Sequence, residues 1–398
     1  MAVIGVVGEF NPFHLGHYEH FRRSRELVGA DAPIICVMSG DFVQRGAPAA
    51  FDKHVRARAA AMSGADLVFE LPLPWCMASA ERFAMGAVGL LHSLGVVTHL
   101  SFGSEAGDLA PLTALALGAA EPGNIEKIKS QMEDGMSFAA AREKVLHEAL
   151  GEQARLLQTP NNILAVEYLK ALFALRSDMI PVTTHRKDAQ HDRFSDGPVR
   201  SASQLRSMLE AGSDISPYIP DGTWKLFRQE MERGRGPVIM ERLETAVMAR
   251  LRMLSRDDFD ALPDATEGLG NRLYKAVRSE GSVKAVLSAV KTKRYPLSRL
   301  RRLVMCGALG VKAGMTDICP PYARLLASTQ RGRELLRQIT DSAVVPIINK
   351  PAGARTLPGE ALELFTLTAD ARDFYVLGFA AMGERKGGSD WRSTPVTL

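Results

Sequence analysis

The first twenty residues contain the sequence feature that most constrains the fold of this chain. Residues 3–7 are apolar, mostly β-branched and uncharged, which is typical of a strand buried on both faces of a parallel sheet. The strand is predicted to end near Gly8, because Asn11 and Pro12 interrupt it. From His14 onward the apolar residues recur at helical spacing. The chain therefore opens with a strand, a polar turn and a helix.

Two histidines, His14 and His17, lie on the first turn of this predicted helix, with Gly16 between them. Backbone N–H groups at a helix start lack helical partners and the helix dipole is positive there, so a phosphate is stabilised. Side chains three residues apart face the same ligand, and glycine lets the backbone approach it. A metal-binding pair is the alternative. The sequence offers no second His/Cys pair at ligand spacing, since its four cysteines are isolated: Cys36, Cys76, Cys306 and Cys319.

Strand and helix patterns alternate through the first half of the chain. Further strands are predicted at residues 33–38, 65–71, 96–102 and 180–184, with helices between them. Right-handed crossovers make such a chain an α/β protein, with a Rossmann-like, doubly wound parallel sheet. We assign this sheet to a first domain of residues 1–215.

Several residues suited to ligand binding follow the predicted strands, at the edge where open α/β sheets bind ligands. Gly103 follows the fourth strand, and the cations Arg186 and Lys187 follow the fifth, where they suit a phosphate clamp. The predicted helix at residues 52–62 also carries cations, but there we expect a solvated face, formed by Lys53, Arg56 and Arg58.

The second half, residues 216–398, is predicted to be mainly helical, with a small α/β end and a frayed Gly- and Ser-rich tail after residue 382. Positive charge gathers between residues 291 and 302, around Tyr295. Cations neutralise RNA phosphates and an aromatic ring stacks on an unpaired base, so this cluster is a candidate RNA contact. Its cationic members are Lys291, Lys293, Arg294, Arg299, Arg301 and Arg302. A solvated helix face is the alternative.

The composition is that of an ordinary soluble protein: 398 residues, 46% apolar and 24% charged, with a net charge of +4. This charge is too small to indicate nucleic acid by itself. No apolar run approaches the roughly 20 residues that span a bilayer, so we expect no membrane association. Scattered cysteines without a disulfide framework favour a reducing cytoplasm. The oligomeric state stays open.

The longer sequence strings resemble a known family. The strand followed by H-x-G-H is similar to the signature of the HIGH-type nucleotidyltransferases. The strings GEFNPFHLGH, MSGDFVQRGAPA, ELPLPW, FGSEAGD and TPNNILAVEYLKAL resemble, in their order, the tRNA(Met) cytidine acetate ligase family, and the likeness covers nearly the whole chain. It implies that ATP and acetate form acetyl-adenylate, which acetylates the wobble cytidine of elongator tRNA(Met), bound by its anticodon stem-loop. Mg²⁺ is expected with the ATP, held by phosphates and water.

The resemblance also implies roles for individual residues. His14 and His17 would be catalytic. The string RSASQLRSML resembles the helix start whose arginine grips the far phosphates. Asn161 and Asn162 follow a predicted Thr159 cap and would hold adenosine. The other expected nucleotide contacts are Val7, Gly8, Glu9, Phe10, Asn11, Pro12, Phe13, Leu15, Gly16, Tyr18, Glu19, His20, Gly103, Arg186 and Lys187.

Two other functions fit the same residues. A small-molecule adenylyltransferase would need no basic second half and would form product without RNA. A non-catalytic RNA-binding protein would keep the fold as a scaffold and would bind no ATP.

Overall fold

The architecture is taken from a computed structural model that describes residues 1–186, 200–266, 268–292 and 295–398. Lys187, Lys293 and Arg294 lie outside the described residues. The strands of the described part are β1 Ile4–Gly8, β2 Ile34–Ser39, β3 Phe42–Val43, β4 Ala47–Pro48, β5 Leu67–Leu71, β6 His99–Ser104, β7 Ile180–His185, β8 Ala323–Ser328, β9 Ile347–Ile348 and β10 Val396–Thr397.

Helices surround these strands and dominate the second half of the described chain. They are α1 Leu15–Val28, α2 Lys53–Met62, α3 Leu73–Cys76, α4 Ala80–Ser93, α5 Leu109–Ala120, α6 Pro122–Glu133, α7 Phe138–Leu150, α8 Pro160–Ala174, α9 Ala202–Glu210, α10 Asp221–Glu232, α11 Met240–Met253, α12 Arg256–Asp260, α13 Leu269–Ser279, α14 Val283–Val290, α15 Leu297–Leu309, α16 Gln330–Ser342, α17 Pro351–Ala354 and α18 Gly359–Val376. Within the described residues, none of them is long and apolar enough to cross a membrane.

The central sheet confirms the predicted α/β fold. Its path runs β10-β8-β5-β2-β1-β6-β7, and the segment from β5 to β7 is parallel. The chain builds β1, β2 and β5 toward one side and then returns to place β6 and β7 on the other. Strand order therefore reverses at β1 and β6, where the carboxyl ends of neighbouring strands diverge and leave a crevice for ligands.

One predicted strand boundary is wrong by three residues at its start. The strand predicted at residues 96–102 begins at His99. The Thr98 hydroxyl accepts a hydrogen bond from the Val3 N–H at 2.8 Å and donates to the Val3 carbonyl at 3.1 Å. Because the Val3 N–H donates to this side chain and not to a backbone carbonyl, the ladder with β1 starts at Ile4 and His99.

The second half contributes to the same sheet. Strand β8 pairs antiparallel with β5, and both β9 and β10 pair with β8. Strand β8 was not predicted from the sequence, and of the strand that the apolar residues 344–348 predict, only Ile347–Ile348 forms. The division into residues 1–215 and 216–398 stays a prediction, and strands from the second stretch extend the sheet of the first.

The expectation of a frayed tail is wrong. Asp390 is 1% exposed, and its carboxylate contacts Lys53 Nζ and, at 2.6 Å, Arg324 Nη1. Its main-chain carbonyl accepts a second hydrogen bond from Arg324 Nη2 at 3.2 Å. Strand β10 then follows beside β8. The tail is therefore fixed by buried ion pairs and a strand, which a local Gly- and Ser-rich composition does not reveal.

The solvated face expected for helix α2 is also wrong at two of its three cations. Lys53 is fully buried and donates to Glu70 Oε1 at 2.8 Å. Arg56 is fully buried and donates to the carbonyls of Glu9, Ser39 and Gly40, at the ends of β1 and β2. Only Arg58 is exposed as expected. Helix α2 therefore holds the loops that follow β1 and β2.

Candidate active site

The N-terminus of α1 lies at the crevice between β1 and β6, and His14 is its N-cap residue. The His14 Nδ1 accepts a hydrogen bond from the Gly16 N–H at 3.0 Å. In return the His17 Nδ1 accepts from the His14 N–H at 3.2 Å. Two imidazoles thus perform the reciprocal capping that Ser and Glu side chains perform in other helices.

These two hydrogen bonds assign the tautomer of each ring. A nitrogen that accepts from a backbone N–H carries no proton, so the proton of the neutral imidazole lies on Nε2. Within the described residues no hydrogen bond occupies the Nε2 of His14 or His17. Their ring centroids lie 3.9 Å apart. The pair therefore offers two adjacent N–H donors to a ligand.

The electrostatic surroundings keep these rings neutral. Burial, with the charges of Arg186 and Arg206, lowers the pKa of His14 to about 3. Burial, His14 and Arg186 lower the pKa of His17 well below its usual value. Burial and Arg186 lower the pKa of His20 to about 4. An anion placed there meets two permanent cations and two neutral N–H donors.

Aromatic side chains fix the orientation of His17. The Phe10 ring meets the His17 ring edge-on at 5.1 Å, and Phe13 lies 5.4 Å from it. Phe10 has a φ of 46°, a left-handed conformation that costs free energy in a residue with a Cβ. Gly8 makes room for this turn, because a Cβ on Gly8 would lie 2.6 Å from the Phe10 ring.

The turn after β1 is held from two further sides. The Asn11 Oδ1 accepts from the Ala50 N–H at 2.8 Å, and the Asn11 carbonyl accepts from Arg206 Nη1 at 2.8 Å. Arg206 lies on α9, whose start carries a capping box formed by Ser201 and Gln204. The string RSASQLRSML therefore brings Arg206 beside the turn, and its contact with the far phosphates stays a prediction.

The other wall of the crevice comes from β6, β7 and the start of α8. Arg186 follows β7, and its Nη1 donates to Asn161 Oδ1 at 2.8 Å. Glu105, after β6, accepts hydrogen bonds from Asn161 and from the Asn162 N–H. Thr159 is the N-cap residue of α8, but its side chain accepts no hydrogen bond from the helix backbone. The Glu105 carboxylate accepts the hydrogen bond from the Asn162 N–H instead.

The chain is similar to known proteins over nearly its whole length. A family model described as HIGH Nucleotidyl Transferase matches residues 1–390. The tRNA(Met) cytidine acetate ligase of Acetivibrio thermocellus is 34% identical, with 100% of both chains covered. That of Thermoanaerobacter sp. (strain X514) is 37% identical, with 95% of this chain and 96% of the relative covered. The chain belongs to the tRNA(Met) cytidine acetate ligase family. Two solved structures of Thermotoga maritima TmcAL are similar to the whole chain, each at 32% identity with 100% of both chains covered. The TM-score is 0.93 for the structure bound with alpha-thio ATP and 0.95 for the apo form I.

Most of the nucleotide contacts expected for a tRNA(Met) cytidine acetate ligase lie around this crevice. Residues 7–17 form the end of β1, the turn and the first turn of α1. His20 lies one turn further along and its Nδ1 is 2.8 Å from Thr184 Oγ1. Tyr18 is 46% exposed, and Glu19 is bound to Arg22 and Arg23 on the outer face of α1. The nucleotide contacts of all these residues stay a prediction.

The basic cluster is less open to RNA than its sequence indicates. Tyr295 is 7% exposed and lies under the Arg299 guanidinium, so the expected stacking surface is covered. Arg299 also donates to Thr266 Oγ1 at 3.1 Å. Burial lowers the pKa of Arg302. Of the described cluster members, Lys291 and Arg301 are exposed.

The structure also reveals site residues that the sequence analysis did not select. Glu105 lies within the string FGSEAGD, and its position directly after a predicted strand was an available signal. Arg56 gave no such signal, because the carbonyls that it binds are known only once the sheet is assembled.

Proposed function

We propose that this chain is an ATP-dependent ligase that joins acetate to the wobble cytidine of elongator tRNA(Met), forming N4-acetylcytidine. The observation that carries the proposal is the pair of neutral imidazoles at the start of α1, with both Nε2 atoms unoccupied by described residues and two arginines beside them. The relatives described above are named tRNA(Met) cytidine acetate ligase, which supports the proposal.

The first step is the adenylation of acetate. An acetate oxygen attacks the α-phosphorus of ATP while the bond to the bridging oxygen of pyrophosphate breaks. Negative charge grows on the phosphate oxygens, and donors fixed in advance stabilise it without reorganisation. His14 and His17 donate through Nε2, the N-terminus of α1 adds its dipole, and Arg186 and Arg206 supply full charges.

The second step transfers the acetyl group to RNA. The exocyclic amine of cytidine attacks the carbonyl carbon of acetyl-adenylate, the bond to the AMP oxygen breaks, and the amine releases one proton to solvent water. AMP leaves with its phosphate charge still facing the same donors. Asn162, at the start of α8, is the proposed adenosine contact, along with the turn residues 7–13 and residues 15, 16 and 18–20.

Mg²⁺ is proposed to accompany ATP. Among the described residues, no group of three or more His, Cys, Asp or Glu side chains is placed to hold a metal ion. The site residues therefore suit an ion bound chiefly by phosphate oxygens and water, as is common for nucleotide-bound magnesium.

The anticodon stem-loop is proposed to bind across residues 216–398, which we treat as the tRNA-binding region. Among the described residues of the basic cluster in this region, Lys291 and Arg301 are exposed. Helix α15 carries Arg301 and meets the β3–β4 hairpin: a Cβ on Gly46 would lie 2.5 Å from the Arg301 carbonyl carbon. The hairpin in turn binds the turn after β1, because the Gln44 N–H donates to Glu9 at 3.0 Å. The basic surface thus adjoins the crevice.

We place the enzyme in the cytoplasm, where tRNA is available.

The decisive experiment incubates the protein with ATP, labelled acetate and bulk tRNA, followed by nucleoside analysis. Label in N4-acetylcytidine is the expected result. Label in a small molecule without RNA would favour an adenylyltransferase instead, and the absence of ATP binding by calorimetry would favour a scaffold.

The RNA surface is tested separately. A variant with Lys291→Ala and Arg301→Ala should bind tRNA more weakly, with a smaller dependence of affinity on salt, because each lost phosphate contact removes about one released counterion. Lys127→Ala with Lys129→Ala is the matched control, since both lysines are exposed on α6, outside the cluster. Equal losses in both double variants would contradict the proposed surface.

A further inference from the structure

The described residues contain a hydrogen-bonded chain that begins at Glu105 and ends at the Arg186 guanidinium. The Glu105 Oε1 accepts from the Asn161 N–H at 3.2 Å and from Asn161 Nδ2 at 2.8 Å, while Oε2 accepts from the Asn162 N–H at 2.7 Å. Both carboxylate oxygens are thus used at the start of α8, where backbone N–H groups lack helical partners and the dipole favours a negative charge.

The carboxylate decides which way the Asn161 amide points. An ionised Glu105 only accepts hydrogen bonds, so the Asn161 nitrogen must face it and the Asn161 oxygen must face away. That oxygen accepts from Arg186 Nη1 at 2.8 Å. With the amide reversed, its NH₂ group would face the guanidinium and its oxygen would face the carboxylate, and both contacts would become repulsive.

The Arg186 side chain is also guided by its backbone and by Gly103. The Arg186 N–H donates to the Ser104 carbonyl at 2.9 Å, which continues the pairing of β6 with β7. A Cβ on Gly103 would lie 2.7 Å from Arg186 Cδ and 2.9 Å from Cγ. The aliphatic part of the arginine therefore crosses the place where any other residue would carry a side chain.

The turn that carries Glu105 is itself tied to α8 and to its own start. The Asn162 Oδ1 accepts from the Ala106 N–H at 3.0 Å, and the Ser104 hydroxyl accepts from the Gly107 N–H at 3.0 Å. The two loops therefore form one cross-linked unit, and Glu105 cannot shift without disturbing Asn161.

We infer that Glu105 is a positioning residue that acts through Asn161 to hold the Arg186 guanidinium against the phosphates. The inference rests on the proposed function. It also changes the role expected for Asn161: both polar atoms of its side chain are engaged within the protein, so Asn161 orients Arg186 and does not itself recognise adenosine.

The test is a double-mutant cycle in the acetate-dependent ATP–pyrophosphate exchange assay. Glu105→Ala should lower kcat/KM for ATP at least tenfold in an otherwise unchanged protein. In an Arg186→Ala background the same change should cost less than threefold, because the group that it positions is already absent. A purely structural role predicts equal losses in both backgrounds, and that result would overturn the inference.

A second variant covers the case in which Glu105→Ala fails to fold. Asn161→Ala removes the link to Arg186 and leaves both backbone N–H groups of α8 bonded to Glu105. The Asn161→Ala variant should keep the thermal stability of the unmodified protein and lose at least tenfold in kcat/KM. This loss should appear only when Arg186 is present, and not in the Arg186→Ala background. An unchanged kcat/KM would also overturn the inference. If the unmodified protein shows no acetate-dependent ATP–pyrophosphate exchange, that result would instead refute the proposed function.

Discussion

Replacing Asp390 by asparagine should destabilise the whole chain. Asp390 is 1% exposed and bonds two buried cations, Lys53 and Arg324. Their other carboxylate partners are Glu70, at 2.8 Å and 3.2 Å, and, for Lys53, Asp41 at 3.9 Å. Burial acts to raise the pKa of Asp390, but Lys53 and Arg324 lower it well below its usual range. Asparagine keeps the shape and removes the charge, so both buried cations lose the carboxylate that lies between them.

The expected size follows from measured losses of one partner in buried ion pairs, which are about 3–5 kcal/mol. A chain of 398 residues has an unfolding entropy of roughly 0.8 kcal/mol/K, which converts that loss into a fall in Tm of about 4–6 °C. The assay is calorimetry combined with near-ultraviolet circular dichroism. Because Asp390 connects the tail to α2 and β8, both probes should shift together.

Glu384→Gln is the matched control for Asp390→Asn. Glu384 lies in the same tail, its side chain is 46% exposed, and it is 3.8 Å from Arg235. An exposed pair of this kind contributes at most about 1 kcal/mol. A Tm for Asp390→Asn within about 1 °C of the unmodified protein, or a shift in only one of two separate transitions, would refute the reasoning.

Two further predictions concern the site and the hairpin. The pKa of His14 is about 3 in the folded chain and about 6.5 in the unfolded chain, so between these pH values only the unfolded state binds the proton. The contribution of His14 to the free energy of unfolding is therefore complete above pH 6.5 and falls by up to about 1.4 kcal/mol per pH unit below it. His14→Asn should flatten this pH dependence, measured by denaturant unfolding from about pH 7 to 5. Gly46→Ala should lower the free energy of unfolding by at least about 1 kcal/mol, because Gly46 has a φ of 68° and an added Cβ would meet the backbone of α15. Gly281→Ala is the control, since Gly281 has open space around it. This control should change the free energy of unfolding by less than about 1 kcal/mol.

The sequence was most informative where local pattern decides the structure. The β-branched run of β1, the break at Asn11 and Pro12, and the helix that follows were all predictable, because burial of a strand and the start of a helix depend on neighbouring residues. The anion-binding role expected of His14 and His17 follows from the same local logic. Their reciprocal capping did not follow from it, since each Nδ1 bond depends on the exact turn of the chain.

Long-range pairing was beyond the reach of the sequence pattern. Lys53 looked like a solvated cation, and its partner Asp390 lies 337 residues away in the chain. Tyr295 looked like a stacking surface within a basic run, yet the fold buries it under Arg299. In both cases tertiary contacts decide the burial of a side chain whose local sequence reads as exposed.

Acetate-dependent ATP–pyrophosphate exchange by two variants of His17 tests the central claim most directly. Asparagine places an oxygen where Nδ1 accepts from the His14 N–H, so His17→Asn keeps the cap but removes the Nε2 donor. Glutamine instead places an N–H near the Nε2 position. We predict a loss of about 10²–10³ in kcat for His17→Asn, the effect of removing one transition-state donor, with partial recovery in His17→Gln and unchanged folding. An exchange rate for folded His17→Asn within threefold of the unmodified protein would contradict the account.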